Sequence, residues 1–427
     1  MNAKLSTQFT RFFPKSQFTR QVMTLMVGTS LAQALPIAAA PILSRLFTPH
    51  DFGVFALFTA ITSVISIVAS GRYELAILLP SDDNDALYIV ILSIILTSIS
   101  SFVLLILIIF FNQWITNILG NSDIAPWLYF VPLAIFFTGV YQALNYWFNR
   151  KQQYKQLATN RVVKSGITII ISLALGTLNS INGGLIWGMI GGQGIATINF
   201  VRRARIENHY PLTNISKTKL LNVAKRYQNF PKFSVPADTV NAISAQMPVF
   251  LLTAFFGPVV VGYLSLTQRM LGAPISIVSA AFADVFKQKA SRDFNTFGNC
   301  RAIWISTFIQ LMLLSVLPFA ILTFVAPNFF AFVFGEPWRE AGKYAQMLAP
   351  YYFLAFTVSP LSRTLYVAEK QKYDLLWQLG LIVFTTIGLL IGCWMGQAQL
   401  SIILFTVAYS SMYLIYLWMS FKFSAGK

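Results

Sequence analysis

The 427-residue chain has little of what soluble enzymes use for chemistry. It carries two cysteines, Cys300 and Cys393, and two histidines, His50 and His209. One cysteine follows a basic stretch and the other ends a late apolar run, which excludes a disulfide framework. With the histidines isolated, a Cys/His metal site is excluded as well. Charged residues make up 11% of the chain, and no segment is long and polar enough to form a separate soluble domain. The sequence contains no His-Glu-x-x-His, no Gly-x-Ser-x-Gly and no cysteine with a spaced histidine partner. Gly184-x-x-x-Gly188 and Gly191-Gly192-x-Gly194 lack the Lys-Ser/Thr of a phosphate loop and read as close-packing helix faces. Neither an enzyme nor a bound cofactor is expected.

What is present is hydrocarbon. Hydrophobic residues reach 56% and mean hydropathy is +0.64, the composition of an integral membrane protein. About twelve apolar runs reach spanning length, beginning with 21–45 and 52–79 and ending with 374–395 and 398–420. The fold class is therefore all-α, with about twelve transmembrane helices. Lys4, Arg11, Lys15 and Arg20 precede Ala32-Gln33-Ala34, the pattern of a cleaved leader. The apolar run continues to Leu43, however, and reads as an uncleaved first helix.

The net charge of +17 would suggest nucleic acid in a soluble protein. Here the basic residues lie between apolar runs, so topology explains them and no nucleic-acid partner is expected. Arg45, Arg339 and Lys343 fall on one side, and Arg72, Arg269 and Arg363 lie within or beside spans. The other Lys and Arg residues fall on the opposite side, the cytoplasmic one, and this puts both termini in the cytoplasm. The longest basic stretch, 202–232, reads as a linker with a short helix at the lipid surface. It divides a six-helix bundle, 1–201, from a second, 233–427. The inner loop Ser81 to Asp85 reads as a helix cap in preference to a cation site.

The two bundles echo each other at an offset of about 210 residues. Pro49-His-Asp-Phe-Gly53 matches Pro258-Val-Val-Val-Gly262, and Ile65-Ser-Ile-Val68 matches Ile275-Ser-Ile-Val278. Ala32-Gln33 before Pro36 matches Ala245-Gln246 before Pro248. Transporters are commonly built this way, with the site near the midplane. Prolines at 36 and 41, and at 231, 236 and 248, mark the opening helix of each half as a hinge candidate.

Polar stripes at helical spacing run along several spans: Thr59, Ser63, Ser66, Ser70 and Glu74; Ser234, Asp238, Asn241 and Ser244; Tyr352, Phe356, Ser359, Arg363 and Tyr366. A charge at mid-bilayer depth costs about 2.5 to 3.5 kcal/mol on insertion scales, so such residues should face a cavity or a partner. Arg72, Arg269 and Arg363 are candidate cations, and Asp238 and Glu74 candidate acids. On an ideal helix Arg72 and Glu74 point apart, so they can share a lumen only if the helix breaks at Gly71. The arginine excess favours an anionic ligand, because guanidinium matches phosphate oxygens with paired hydrogen bonds. The alternative is internal ion pairing, such as Arg269 with Asp238. Without a nucleotide site, transport would draw on an ion or substrate gradient, with Asp238 or Glu74 taking H+ or Na+.

Two stretches resemble the oligosaccharide-lipid flippase family, the O-antigen or polysaccharide translocases of the MATE-like exporter superfamily. The first runs from Ala32-Gln-Ala-Leu-Pro36 through Leu43-Ser-Arg45-Leu-Phe47-Thr-Pro49-x-x-Phe-Gly53 to Gly71-Arg72-Tyr73-Glu74. The second is Val333-Phe334-Gly335-Glu336-x-Trp338-x-x-Ala341-Gly342 with Leu348-Ala-Pro350 and Val358-Ser-Pro-Leu-Ser362. The resemblance implies a V-shaped pair of six-helix bundles in the bacterial cytoplasmic (inner) membrane. It also implies movement of an undecaprenyl-pyrophosphate-linked oligosaccharide from the inner to the outer leaflet by alternating access. Arg72 and Arg45 match the family motif, while Arg269 and Arg363 rest on position and charge. Together they form the expected cationic cavity. Trp338 and Arg339 read as structural. A polysaccharide polymerase and a chain-length protein are implied partners. The alternative functions are an ion-coupled multidrug exporter of the same fold and, from a different class, a membrane glycosyltransferase or polymerase, for which the outer loop offers only Glu336 and Glu340.

Overall fold

A computed structural model describes residues 17–178, 183–207 and 216–426; His209 and the basic residues Lys4, Arg11, Lys15 and Lys427 lie outside them. The described chain is helical throughout. The helices are α1 (Gln17–Leu46), α2 (Pro49–Ala69), α3 (Asp83–Leu119), α4 (Val131–Arg150), α5 (Tyr154–Leu178), α6 (Gly184–Glu207), α7 (Lys217–Arg226), α8 (Val235–Phe256), α9 (Pro258–Phe297), α10 (Arg301–Phe334), α11 (Arg339–Val358), α12 (Gln371–Trp394) and α13 (Ala398–Phe423).

Among the described residues, ten helices are long and apolar enough to cross a membrane. The bent pair Ser122–Leu128 and Val131–Arg150, joined at 54°, makes an eleventh. The one remaining expected span falls on α11, which is 20 residues long but is not apolar enough to count. Its inward face, from Ala341 through Leu348 to Phe356, is buried within its own unit and needs little lipid compatibility. Elsewhere large apolar side chains stand exposed in numbers water would not tolerate, among them Phe110, Phe324, Phe332 and Trp394. The chain is a multi-pass membrane protein.

Several loops expected from the sequence are helix instead. α9 runs on to Phe297, ending at Gly298 in the left-handed region (φ 72°), and α10 runs through Pro327 to Phe334. The outer loop expected around Glu336 and Glu340 therefore shrinks to the turn Gly335–Trp338. α5 begins at Tyr154, which moves Arg161 and Lys164 from the cytoplasmic end of a span into its length. Polar residues at the end of a membrane helix look like loop in a hydropathy reading, because the helix continues into the headgroup region.

Contacts divide the chain into two compact units, and these are not the two sequence halves. The first holds the described residues up to Ala39, Phe58–Thr116 and Asp123–Ile243. The second holds Ala40–Leu57, Asn117–Ser122 and Ser244 onward. The core of the first unit gathers Ile77, Ile89, Trp147, Phe148 and Phe200, with Tyr227 and Val223 from the linker region. The linker helix α7 is capped by the Ser216 hydroxyl, which accepts from the Lys219 N–H (3.4 Å). Its apolar side packs on this core, and the Tyr73 hydroxyl donates to the Ala224 carbonyl (3.0 Å). α5 and α6 approach closely through the expected glycine face. A Cβ on Gly188 would lie 2.0 Å from Ser172 Oγ, and one on Gly192 would lie 2.0 Å from Thr168 Oγ1.

The second unit is organised where the two repeat motifs meet. α2 starts with a capping box: Thr48 N–H and hydroxyl both donate to the Asp51 carboxylate (2.8 and 2.7 Å), Asp51 N–H donates to the Thr48 hydroxyl, and Pro49 takes the first helical position. α9 starts with Pro258 after Gly257. Gly53 then lies against the Pro258 carbonyl and Gly262 against the Pro49 carbonyl, each so close that a Cβ would stand 1.8 Å from the oxygen. The echoed prolines and glycines are thus the two sides of one reciprocal helix contact. Beside it Trp338, fully buried, donates its indole N–H to the Ser44 carbonyl (2.8 Å) and packs edge-on against Phe52 (4.9 Å).

Candidate functional site

In the first unit the chemistry gathers where α2 ends. Gly71 (φ 61°) and Arg72 (φ 58°) both adopt left-handed backbone, and a six-residue 3-10 helix, Tyr73–Leu78, follows. A non-glycine residue there carries roughly 1–2 kcal/mol of strain; the Ser70 hydroxyl accepting from the Arg72 N–H (3.3 Å) helps to hold it. The break does what an ideal helix could not, since Arg72 Nη1 lies 3.3 Å from Glu74 Oε1. Arg72 Nε also lies 2.8 Å from Asp238 Oδ2, on α8. Glu74 is 1% exposed, and its second oxygen, Oε2, has no hydrogen-bond partner. Tyr146 of α4 is within electrostatic reach of all three. One cation thus sits between two carboxylates, a buried one and a partly exposed one, leaving an excess of negative charge and an orphaned buried acceptor.

This changes the charge balance expected from the sequence. Both acids are committed to Arg72. Below the 3-10 helix, Arg150 donates to the carbonyls of Ile77 (3.2 Å) and Pro80 (2.7 Å) and from Nε to Asp83 (2.8 Å). Lys151 pairs with the same carboxylate. The acidic loop is therefore a clasp between α3 and α4, and no cluster of metal-ligating groups occurs among the described residues.

Two more cations of the first unit escaped sequence reading. Arg161 of α5 donates to the Thr29 hydroxyl (2.6 Å), and Lys164, one turn on, lies over the Tyr141 ring (5.2 Å). Both are half-buried, and neither has a carboxylate partner among the described residues. Their three-residue spacing on an apolar run was the available signal.

In the second unit, Arg269 is half-buried along α9 and has neither an ion pair nor a hydrogen bond among the described residues. Arg363 follows a break in the chain. α11 ends at Val358, a 3-10 turn spans Pro360–Ser362, and a single helical turn, Arg363–Val367, comes next. Its guanidinium lies 5.8 Å from the Tyr366 ring centre and has no carboxylate partner among the described residues. Arg45, exposed at the end of α1, donates to the Phe332 carbonyl (3.4 Å) and serves that joint. Arg339 grips Glu336 with two bonds (2.5 and 3.1 Å) and Asn328 with a third (2.6 Å). Those bonds hold the exposed Glu336 carboxyl below its usual range and fix the turn that carries Trp338. Both cysteines are free and buried.

A family model described as "Polysaccharide biosynthesis protein" matches residues 42–343, the span that contains the Thr48–Gly53 and Pro258–Gly262 helix starts, the Arg72 cluster and Arg269. The chain belongs to the polysaccharide biosynthesis protein family. Solved structures share the fold of this polysaccharide biosynthesis protein. An inward-facing multidrug resistance MATE family transporter of the MOP superfamily superposes with TM-score 0.70 at 12% identity, over 91% of this chain and 93% of that one. The lipid II flippase MurJ in its inward closed conformation gives 0.68 at 15% identity, over 95% and 87%. A MOP superfamily transporter from Pyrococcus furiosus, described by the reversed polarity of its binding pocket, gives 0.57 at 10%, over 94% of each. No curated protein matches the chain in sequence. By fold the polysaccharide biosynthesis protein is similar to these transporters and to that flippase.

Proposed function

We propose that the chain moves an undecaprenyl-pyrophosphate-linked oligosaccharide from the inner to the outer leaflet of the cytoplasmic membrane, by alternating access coupled to an ion gradient. The observation that carries this reading is Arg269, a half-buried arginine inside a membrane span with no carboxylate among the described residues to neutralise it. An unpaired cation in that position costs several kcal/mol unless a ligand completes it. A pyrophosphate would do so, and a cationic drug would be repelled. Arg161 and Lys164 in the first unit offer the same chemistry.

The test is movement of a fluorescent polyprenyl-pyrophosphate oligosaccharide in proteoliposomes. Arg269→Ala should slow it by about tenfold or more, the loss of one charge-assisted contact, with partial recovery in Arg269→Lys. An unchanged rate in correctly inserted Arg269→Ala removes the anion-binding role. Expulsion of cationic dyes without lipid movement would support a multidrug exporter instead.

The coupling ion in this reading is taken at Glu74 and Asp238. A proton or Na+ reaching Glu74 Oε2 would satisfy its orphaned acceptor and cancel the excess charge beside Arg72. Glu74→Gln should bring the rate under an imposed pH or Na+ gradient down to the rate without one. A gradient response equal to wild type in both Glu74→Gln and Asp238→Asn would put coupling elsewhere.

A further inference from the structure

The second unit contains a cavity of about 390 Å³ whose lining mixes charges and rings. Asp374, in the first turn of α12 and 8% exposed, faces it. Its Oδ1 accepts from the Tyr416 hydroxyl (2.5 Å), and its Oδ2 from the Tyr366 hydroxyl (3.2 Å) and Gln378 Nε2 (2.9 Å). A carboxylate offers about four acceptor positions, so three bonds leave one for a ligand in the cavity that Asp374 lines. Arg363 lines the same cavity, and its guanidinium is exposed and has no ion-pair partner among the described residues. Ser279 of α9 is 7% exposed, and its hydroxyl, at the cavity wall, has no partner. Trp377 completes the wall, with its indole N–H tied to the Met412 carbonyl (2.6 Å), so only ring surface is offered.

Each ligand class meets this lining differently. A phosphate would find Arg363 but would be repelled by Asp374 within the same small space, and a cation meets the reverse problem. A lipid tail would leave an arginine, a carboxylate and a hydroxyl without partners. An uncharged sugar suits all three. Its hydroxyls donate to Asp374, accept from Arg363 and pair with Ser279, while its C–H face lies on the Trp377 ring. We propose that this cavity is a saccharide subsite that takes an uncharged sugar residue. Arg363 is then a sugar contact and not a pyrophosphate contact. The proposal rests on the transport reading only for the source of the sugar.

Saturation-transfer NMR on the full chain in detergent, with free glucose, galactose and N-acetylglucosamine as probes, tests it. At least one sugar should receive magnetisation from the wild type. The signal should fall by about tenfold or more in Asp374→Asn and in Arg363→Ala. Arg363 is exposed, so its variant tests binding without endangering the fold. Inorganic pyrophosphate should leave the signal intact. No transfer to the wild type, an undiminished signal in Arg363→Ala, or displacement by pyrophosphate would each overturn the subsite. Transfer from a wild type that moves no lipid in proteoliposomes would keep the subsite and remove the flippase, so the two failures are distinct.

Discussion

Trp338→Ala is expected to abolish a stably folded second unit. The indole is fully buried and packs on Phe52 and Tyr263; truncating such a side chain costs about 3–5 kcal/mol. A second cost comes from helix ends. Ser44 lies in the last turn of α1, where carbonyls lack intrahelical partners, and the Trp338 N–H satisfies its oxygen. The Ser44 hydroxyl in turn donates to the carbonyl of Phe334, the last residue of α10 (3.1 Å). Two helix ends are capped through one tryptophan and one serine. Trp338→Phe keeps a ring but orphans the Ser44 carbonyl, and should cost about 1–3 kcal/mol. Thermal scans of detergent-solubilised protein by size exclusion would check both. The alanine variant should give no monodisperse peak, and the phenylalanine variant an earlier transition. A wild-type transition for Trp338→Ala would mean that the joint does not support the unit.

The second large effect is expected at the paired glycines. In Gly53→Ala or Gly262→Ala the new methyl meets a backbone carbonyl at 1.8 Å. Overpacking commonly costs about 1–3 kcal/mol, and here the obstacle is main chain that cannot change rotamer, so each substitution should sit at or above the top of that range. The two contacts are reciprocal, and a single separation of α2 from α9 relieves both. The double variant should therefore lose much less than the sum of the singles. Gly166→Ala is the control: nothing lies within 4 Å of its Cβ position, and a mid-helix alanine should stabilise by about 0.5–1 kcal/mol. The same thermal scans read all four. Additive losses would mean that the two glycines fail independently.

Much of the joint was legible in the sequence. The Pro-x-x-x-Gly echo and the Val333–Gly342 motif both stood out, but as separate strings; nothing in either said that each proline faces the other's glycine. For the candidate site, Arg72, Glu74, Asp238, Arg269 and Arg363 were recognisable because a charge is conspicuous in an apolar run. Their partners were not. Asp374 stands four residues after Lys370 and reads as an ordinary charge at the end of a cytoplasmic loop. Arg161 and Lys164 were hidden in the same way, because at the first turn of an apolar run they read as the cytoplasmic end of a span.

Composition and periodicity alone determined that this is a many-helix membrane protein with a repeated plan and intramembrane cations. Burying polar residues in lipid is so expensive that each leaves a visible mark on the sequence. Only the tertiary structure decided which charges are already neutralised, that Gly71 and Arg72 turn the chain so that Arg72 meets both acids, and that Asp374 and Arg363 share a cavity without pairing. Such pairings depend on ångström distances between distant segments, and an ion pair's energy falls with separation and with the water around it. Residue identity fixes neither quantity until the helices are packed.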